Sequence, residues 1–168
     1  MQKNFLLSFI LIMFFFTHTY SEVISGNATV IDGDTIKINS KKIRLHGIDA
    51  PEIKQLCERE FLNFFFFTFK KNYKCGELSK KKLEYYIQND KIECKTEGID
   101  RYKRIIGTCF KNKININSKM VRNGYAVAYK KYSKKYTIQQ LEAKKDNLGI
   151  WQGKFQMPWD WRKRNAKN

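Results

Sequence analysis

Four carboxylates and one arginine stand close together in a strongly basic chain. Asp32 and Asp34 form one acidic pair, Asp49 and Glu52 form another, and Arg44 lies between the two pairs. Carboxylate oxygens gathered from two loops suit Ca²⁺ or Mg²⁺ rather than zinc or copper, and an arginine fork pairs bidentately with phosphate. A hard cation, an arginine and a carboxylate that activates water are the groups needed to hydrolyse a phosphodiester.

The segments around these residues predict that the acidic pairs meet. Residues 28–39 and 42–47 are β-rich, and residues 39–41 between them are typical of a hairpin turn. In a tight hairpin the start of one strand lies beside the end of its partner, so both pairs should lie at one end of the sheet. A purely structural interpretation, a hairpin with capped turns and a surface salt bridge, stays open because Asp-Gly turns are common.

The charge of the chain favours a polyanionic partner. There are 33 Lys and Arg against 16 Asp and Glu, a formal net charge of +17. So large a charge opposes folding through self-repulsion, which favours a compensating partner such as nucleic acid or anionic lipid. The alternative is that the lysines reflect codon usage and only aid solubility.

The N-terminal segment reads as a targeting sequence. Lys3 precedes the apolar run 5–16, and small residues follow it, so residues 1–21 are predicted to be a secretory signal peptide. The protein would then be secreted or periplasmic. The alternative is an uncleaved anchor that faces the same compartment. The remainder, 22–168, is predicted to be a single domain.

The four cysteines predict two disulfides in such an oxidising compartment. If the strands around Cys94 and Cys109 form an antiparallel hairpin centred between residues 101 and 102, these two cysteines face each other at disulfide distance. The second pair, Cys57–Cys75, then follows by elimination. The spacing of the cysteines does not match a zinc finger.

The remaining elements predict a small β-barrel with helices packed on it, an α+β fold that is mainly β. Thr137 is the expected N-cap of the last helix, and Gly124 and Gly149 are expected stops. The expected strands are 91–95 and 104–110, and the expected helices are 77–87, 117–123 and 137–147.

Two segments are rich in aromatic residues and are expected to pack on the rest of the protein. Residues 61–69 contain six phenylalanines, for which packing on the core or inside the disulfide loop is the expectation, with membrane or base contact as alternatives. The tail 157–164 mixes Trp159 and Trp161 with arginines, and docking onto the body is expected rather than ligand contact.

Five blocks of the chain carry a family resemblance: residues 30–35, 43–52, 98–104, 120–129 and 148–151. Together, and in this order, they resemble the staphylococcal nuclease (thermonuclease) family. The resemblance implies a five-stranded OB-type barrel with about three helices, a domain core over 28–151, and hydrolysis of DNA and RNA with little sequence preference.

The resemblance also implies a metal site. Asp34 and Asp49 would bind Ca²⁺, or alternatively Mg²⁺, through their carboxylates, and Ala50 would add its backbone carbonyl. Ala50 replaces a threonine, which matters little if only the carbonyl is used. Asp32 and Thr35 would support the site from beside the metal ligands.

Catalytic roles follow in the same way. Glu52 would position or activate the attacking water, while Arg44 and Arg104 would grip the scissile phosphate. Tyr129 would lie near the nucleotide pocket. His46 lies near the proposed phosphate-binding arginine but is not expected to be catalytic.

One departure from the family pattern concerns the turn before Arg104: Lys103 stands where a glycine is common, which leaves its conformation open. The alternative function is a non-catalytic OB-type nucleic-acid-binding protein, either free or membrane-tethered. The presence of Arg44, Glu52 and Arg104 together favours an endonuclease. DNA and RNA are the expected partners of a monomer, with no obligate protein partner.

Overall fold

The computed structural model describes residues 22–65, 67–88 and 90–166. The signal peptide or anchor predicted over residues 1–21 lies outside this part. Within these three ranges, none of the helices combines the length and the apolar character needed to cross a bilayer.

Strands come first along the chain and helices are interleaved later. The helices are α1 (Cys75–Ile87), α2 (Ile116–Arg122), α3 (Thr137–Lys145) and α4 (Pro158–Asn165), with a 3-10 turn over Gly149–Gln152. The strands are β1 (Val23–Asp32), β2 (Thr35–Ile38), β3 (Lys41–Leu45), β4 (Ile48–Asp49), β5 (Leu56–Phe64), β6 (Phe67–Lys74), β7 (Lys91–Ile99), β8 (Ile105–Lys111), β9 (Ile114–Asn115) and β10 (Val127–Ala128).

Five of these strands close into the predicted barrel. Antiparallel pairs join β7 to β1, β1 to β2, β2 to β3 and β7 to β8, and a parallel pair between β3 and β8 closes the ring. The α+β, mainly β barrel is therefore confirmed. The described helices number four rather than about three, because the tail forms α4.

The barrel follows from the alternation of side chains along its strands. Ile36, Ile38, Ile43 and Leu45 are buried inside it, whereas the residues between them on β2 and β3 face outward. This period of two is the strand repeat, and burial of each large aliphatic side chain contributes about 1.5–3 kcal/mol. The same repeat places Arg44 on the outer face of β3.

The prediction of one continuous strand over residues 28–39 is wrong, because two strands, β1 and β2, cover this range. A turn at residues 33–34 separates β1 from β2, and the pairing shifts register between Val30 and Asp32. Gly33 has no room for a side chain, since a Cβ there would lie 2.7 Å from the Cβ of Ala50 and 2.8 Å from that of Ser79. Close packing of the turn against α1 therefore requires the glycine.

The residues that cap two of the helices differ from the prediction or were not predicted. The predicted N-cap Thr137 is wrong: Tyr136 precedes the helix, and the hydroxyl of Thr137 donates to the Lys134 carbonyl at 2.8 Å. The hydroxyl is thus used in the preceding turn. Asn115 caps α2, where its side-chain oxygen accepts the Ser118 N–H at 2.9 Å.

The phenylalanine-rich segment forms a hairpin, not a buried loop. Strands β5 and β6 pair with each other in a separate two-stranded sheet. Leu62, Phe65 and Phe69 are exposed, so the expected core packing is wrong for these side chains. At the base of the hairpin, by contrast, Cys57 is buried in a second apolar cluster and Tyr73 packs against it.

Both predicted disulfides are present, and each belongs to a different apolar cluster. Cys94–Cys109 joins β7 to β8 inside the barrel cluster. Cys57–Cys75 joins β5 to the start of α1 in a smaller cluster that also contains Val127 and Ile150. We call this second group the tail cluster, because residues of the C-terminal segment pack against it: Trp151, Phe155, Met157 and Trp159.

Candidate active site

The acidic residues meet at one end of the β2–β3 hairpin. Thr35 pairs with Arg44 across the two strands, and the N–H of Leu45 donates to the carbonyl of Asp34 at 2.8 Å. Asp49 ends β4, which is held by β10. The backbone ladder therefore brings Asp34, Arg44 and Asp49 together, as the hairpin argument predicted.

Arg44 lies between two buried carboxylates. Its Nη1 contacts Asp34 Oδ1, and its Nη2 donates to Asp49 Oδ1 at 2.7 Å. The Asp49 side chain is 0% exposed and that of Arg44 is 17% exposed. Burial lowers the pKa of Arg44, but the neighbouring acids more than offset this and raise it overall. The guanidinium is therefore charged at every physiological pH.

The oxygens of Asp34 are held by its neighbours. Oδ2 accepts the N–H of Ala50 at 2.9 Å, and Oδ1 accepts the hydroxyl of Thr35 at 3.1 Å. The N–H of Asp34 donates to Asp32 Oδ1 at 3.0 Å. Burial, reinforced by the charge of Asp34, raises the pKa of Asp32 to about 6. Asp32 and Thr35 thus contact Asp34, where the resemblance expects supporting residues.

A second arginine, which the sequence analysis missed, reaches the same acids from α4. Arg162 Nη2 donates to Asp49 Oδ2 at 2.8 Å, and Nη1 donates to Asp49 Oδ1 at 3.0 Å and to Glu52 Oε1 at 2.7 Å. Burial raises the pKa of Asp49, and the contact with Arg162 opposes that rise. Docking of the tail was predicted from its aromatics, but no spacing signal singles out one arginine among several.

Tyr129 is covered by the tail. Its ring stacks on that of Trp159, with centroids 5.3 Å apart and planes at 3°. Tyr132 packs edge-on against it at 4.8 Å. Burial and then the nearby charge of Asp49 raise the pKa of Tyr129. The residue expected near a nucleotide pocket therefore lies beside Asp49, under an aromatic side chain of α4.

Arg104 lies apart from the acids. The parallel register sets Arg44 opposite Ile106, so Arg104, two residues earlier, lies on the same outer face. Its described partners are Asp100, whose Oδ2 accepts Nε–H at 2.8 Å, and the ring of Tyr102. The structure places Arg104 on the expected face without bringing it into hydrogen-bond contact with the acids in the part of the chain described.

The turn before Arg104 has the backbone of a glycine turn. Lys103 has a φ of 61°, in the left-handed region that glycine adopts with least strain. Asp100 holds the turn, because its Oδ1 accepts the N–H groups of Tyr102 and Arg104, both at 2.9 Å. His46, by contrast, contacts Glu97 through Nδ1.

The donor set fits a hard cation. No group of three or more His, Cys, Asp or Glu side chains encloses a metal position within the described ranges, but the expected set needs only two carboxylates and a carbonyl. Asp34 and Asp49 contact one guanidinium, so their oxygens lie close together. Each carboxylate has about four lone-pair positions, and arginine and local N–H or O–H donors occupy three on each. One position on each remains for a water-rich Ca²⁺ or Mg²⁺ site.

Residues 42–153 match the family model described as staphylococcal nuclease homologue. Succinoglycan biosynthesis protein ExoI of Rhizobium meliloti is 35% identical over 134 residues, which cover 78% of this chain and 66% of that protein. An uncharacterized endonuclease of Haemophilus influenzae is 31% identical, over 83% of this chain and 72% of that protein. Micrococcal nuclease of Shigella flexneri is 28% identical, over 83% and 81%. The chain spans only 32% of the probable staphylococcal-like nuclease CAN3 of rice.

Proposed function

Since the chain belongs to the staphylococcal nuclease family, we propose that it is a metal-dependent endonuclease that hydrolyses DNA and RNA with little sequence preference. One observation carries the proposal. An arginine is buried against two carboxylates, and a third carboxylate, Glu52, is joined to one of them by Arg162. This is the combination of anion-binding and cation-binding groups that phosphodiester hydrolysis requires.

The buried carboxylates are the proposed metal ligands. Asp34 and Asp49, with the backbone carbonyl of Ala50, would hold Ca²⁺, with Mg²⁺ as the second candidate. A cation bound there would neutralise charge that grows on the phosphoryl oxygens during attack. Both acids are almost fully buried, so their charge is directed at the site and is weakly screened by salt.

Glu52 is the proposed base because water can reach it. Its side chain is 34% exposed, whereas that of Asp49 is 0% exposed. A general base must lie within hydrogen-bond reach of the water that it deprotonates. Glu52 is therefore accessible to solvent and is also held by a hydrogen bond from Arg162.

The two arginines of the family pattern are the proposed phosphate ligands. Three described hydrogen bonds of Arg44 use its Nη groups, which leaves donors of its fork for a phosphate oxygen. Arg104 would approach the same phosphate from the loop between β7 and β8, on the same outer face as Arg44. Arginine serves better than lysine because its planar fork makes two parallel bonds.

The net charge of +17 supports a nucleic-acid substrate. Release of counterions from the phosphate backbone supplies affinity without reading the bases. The two disulfides support an oxidising compartment. We infer export through the N-terminal segment, with retention as an anchor as the second possibility.

Cleavage of single-stranded and duplex DNA and of RNA by the oxidised protein, residues 22–168, tests the proposal. It would be measured with Ca²⁺, with Mg²⁺ and with excess chelator. Glu52→Gln should lower kcat by roughly 10²–10⁴-fold while DNA binding persists. Glu84→Gln, an exposed glutamate on α1, is the matched control and should behave as the wild type.

Two outcomes would contradict the proposal in different ways. Tight, salt-sensitive binding without cleavage under any metal would favour the non-catalytic binding protein. Full activity of Glu52→Gln alongside the wild type would remove this residue from the mechanism and leave the nuclease assignment standing.

A further inference from the structure

Arg162 joins two acids to which the proposed mechanism gives different tasks. To these acids its fork makes two hydrogen bonds at the oxygens of Asp49 and one at Glu52 Oε1, the last at 2.7 Å. Asp49 is a proposed metal ligand and Glu52 the proposed base. One planar, rigid group therefore sets the distance and orientation between them.

Glu52 depends on this contact for its orientation. Among the described residues, Arg162 is the one group that bonds the Glu52 carboxylate. The other described hydrogen bonds of Glu52 use its backbone, with Gln55 as the partner. A partly exposed glutamate side chain with rotatable bonds samples several rotamers unless a partner selects one.

Helix α4 is held against the body of the protein by packing and hydrogen bonds. Pro158 at its start is buried, and Trp159 stacks on Tyr129. The side-chain amide of Gln55, itself fully buried, donates to the carbonyl of Gln156 at 2.6 Å just before the helix. These contacts fix the position of α4, the helix that carries Arg162, and none of them involves a substrate.

The contact leaves room for the chemistry. Arg162 occupies one of about four lone-pair positions on the Glu52 carboxylate, so the second oxygen is available to a water molecule. Asp49 keeps one position after Arg44 and Arg162 are bound. Arg162 is therefore compatible with a bound cation and with an attacking water.

The geometry points to Arg162 as a positioning residue that fixes Glu52 against Asp49 and makes the C-terminal helix part of the active site. This inference rests on the proposed nuclease function. It also predicts that Arg162 has opposite effects on metal affinity and on the rate of hydrolysis. The guanidinium repels a cation on Asp49, so its removal should tighten metal binding while it slows hydrolysis. Damage to the fold would weaken both.

Three variants distinguish the effect of the positive charge of Arg162 from the effect of its planar shape. Arg162→Met removes the charge at similar length, and Arg162→Lys keeps the charge but cannot bridge two carboxylates with a planar fork. Arg164→Met removes an equal charge from an exposed position on the same helix and is the matched control. For each variant one would measure kcat and KM on DNA, the Kd for Ca²⁺ by titration calorimetry without nucleic acid, and Tm.

Arg162→Met should lose about 10- to 100-fold in kcat, change KM little, and bind Ca²⁺ about threefold or more tightly. Arg162→Lys should bind Ca²⁺ like the wild type and show an intermediate kcat. Arg164→Met should match the wild type in both.

Other outcomes would overturn the inference. Tighter Ca²⁺ binding with equal or faster turnover would make Arg162 a competing cation. Weaker Ca²⁺ binding with slower turnover and a lower Tm would make it a purely structural contact, and an unchanged Kd and kcat would remove it from the site. A wild-type protein that cleaves no nucleic acid would overturn the proposed function, and this inference with it.

Discussion

Two regions of the molecule bring an arginine to the same carboxylate, and they do so by different means. Arg44 lies five residues from Asp49 along the chain, on a barrel strand. Arg162 lies 113 residues away, on a helix. The barrel arginine is placed by backbone hydrogen bonds between β2 and β3, whereas the helix arginine is placed by side-chain packing. The first placement should survive most side-chain changes, and the second should not.

The apolar clusters behind the two arginines differ in the same way. The barrel cluster contains many fully buried aliphatic residues and the Cys94–Cys109 disulfide. Among the described residues, the tail cluster has four buried members, Cys57 and Cys75 among them, and is completed by partly exposed aromatics and a methionine. Local stability follows buried apolar contact, so we expect α4 to undock before the barrel unfolds.

The largest expected effect comes from the barrel arginine. Arg44→Lys keeps the charge but not the fork between two carboxylates, and kcat should fall by about 10²–10³-fold. Arg122→Lys is a matched control, because Arg122 also pairs with two acids, Glu142 and Asp146, but on the surface. Near-full activity of Arg44→Lys in a steady-state assay would show that the barrel arginine contributes only charge.

Removal of each disulfide in turn compares how the barrel cluster and the tail cluster contribute to stability and to activity. Each closes a loop of similar length, with sequence separations of 18 and 15, so removal of either should cost about 3 kcal/mol of unfolding free energy. The double variant Cys57→Ala/Cys75→Ala should in addition lower activity, because it loosens the tail cluster.

The double variant Cys94→Ala/Cys109→Ala is the control for this comparison. It should lose similar stability in chemical denaturation but retain activity below its unfolding transition. Equal activity losses in both double variants would show that the clusters do not act separately.

Removal of the stacked tryptophan should undock the helix specifically. Trp159→Ala should cost about 2 kcal/mol, less than a fully buried tryptophan, and should lower kcat toward the value of Arg162→Met. A double-mutant cycle checks the coupling. If Trp159 acts by holding Arg162, the two losses in activity overlap, and fully additive losses would refute that link.

The smallest expected effect concerns Asp100, the hydrogen-bond partner of Arg104, which lies outside both the acidic site and the tail cluster. Burial raises the pKa of Asp100, but hydrogen bonds from Arg104 and Tyr102 and the charge of Arg104 lower it overall, below its ordinary value of 3.8. A depressed pKa adds stability that is present above pH 3.8 and is lost as pH falls through the lower folded value.

Asp100→Asn should therefore lower the unfolding free energy by about 1 kcal/mol at pH 7. The difference from the wild type should shrink as the pH falls below 3.8. Urea denaturation at both ends of this range measures it. A difference that stays constant with pH would assign the effect to the turn geometry and not to the charge of Asp100.

Much of the barrel was predictable because its signals are local. Alternating aliphatic residues in β2 and β3 and a hairpin turn between them are enough to place Asp34 beside Arg44. The hairpin of β7 and β8 was likewise enough to pair Cys94 with Cys109, although a bulge between Thr96 and Gly98 shifts the register nearer the turn by one residue. Both predictions rest on the strand repeat and the antiparallel geometry.

Other features were not predictable because distant groups decide them. The split between β1 and β2 depends on Ala50 and Ser79, which leave no space for a Cβ at Gly33. Thr137 resembles an N-cap in type, but its hydroxyl bonds the preceding turn. The phenylalanine-rich segment resembles a core segment by composition, yet in the described ranges its strands form a sheet separate from the barrel.

The barrel, the disulfide pairing and the placement of Arg44 among the acids are encoded in local signals, because each depends on residues a few positions apart or on one hairpin. The contact of Arg162 with Asp49 and Glu52 is not encoded in this way. That contact requires α4 to dock through Pro158 and Trp159 on a cluster whose members come from distant parts of the chain. Packing of this kind depends on three-dimensional shape complementarity, for which a linear pattern carries no signal.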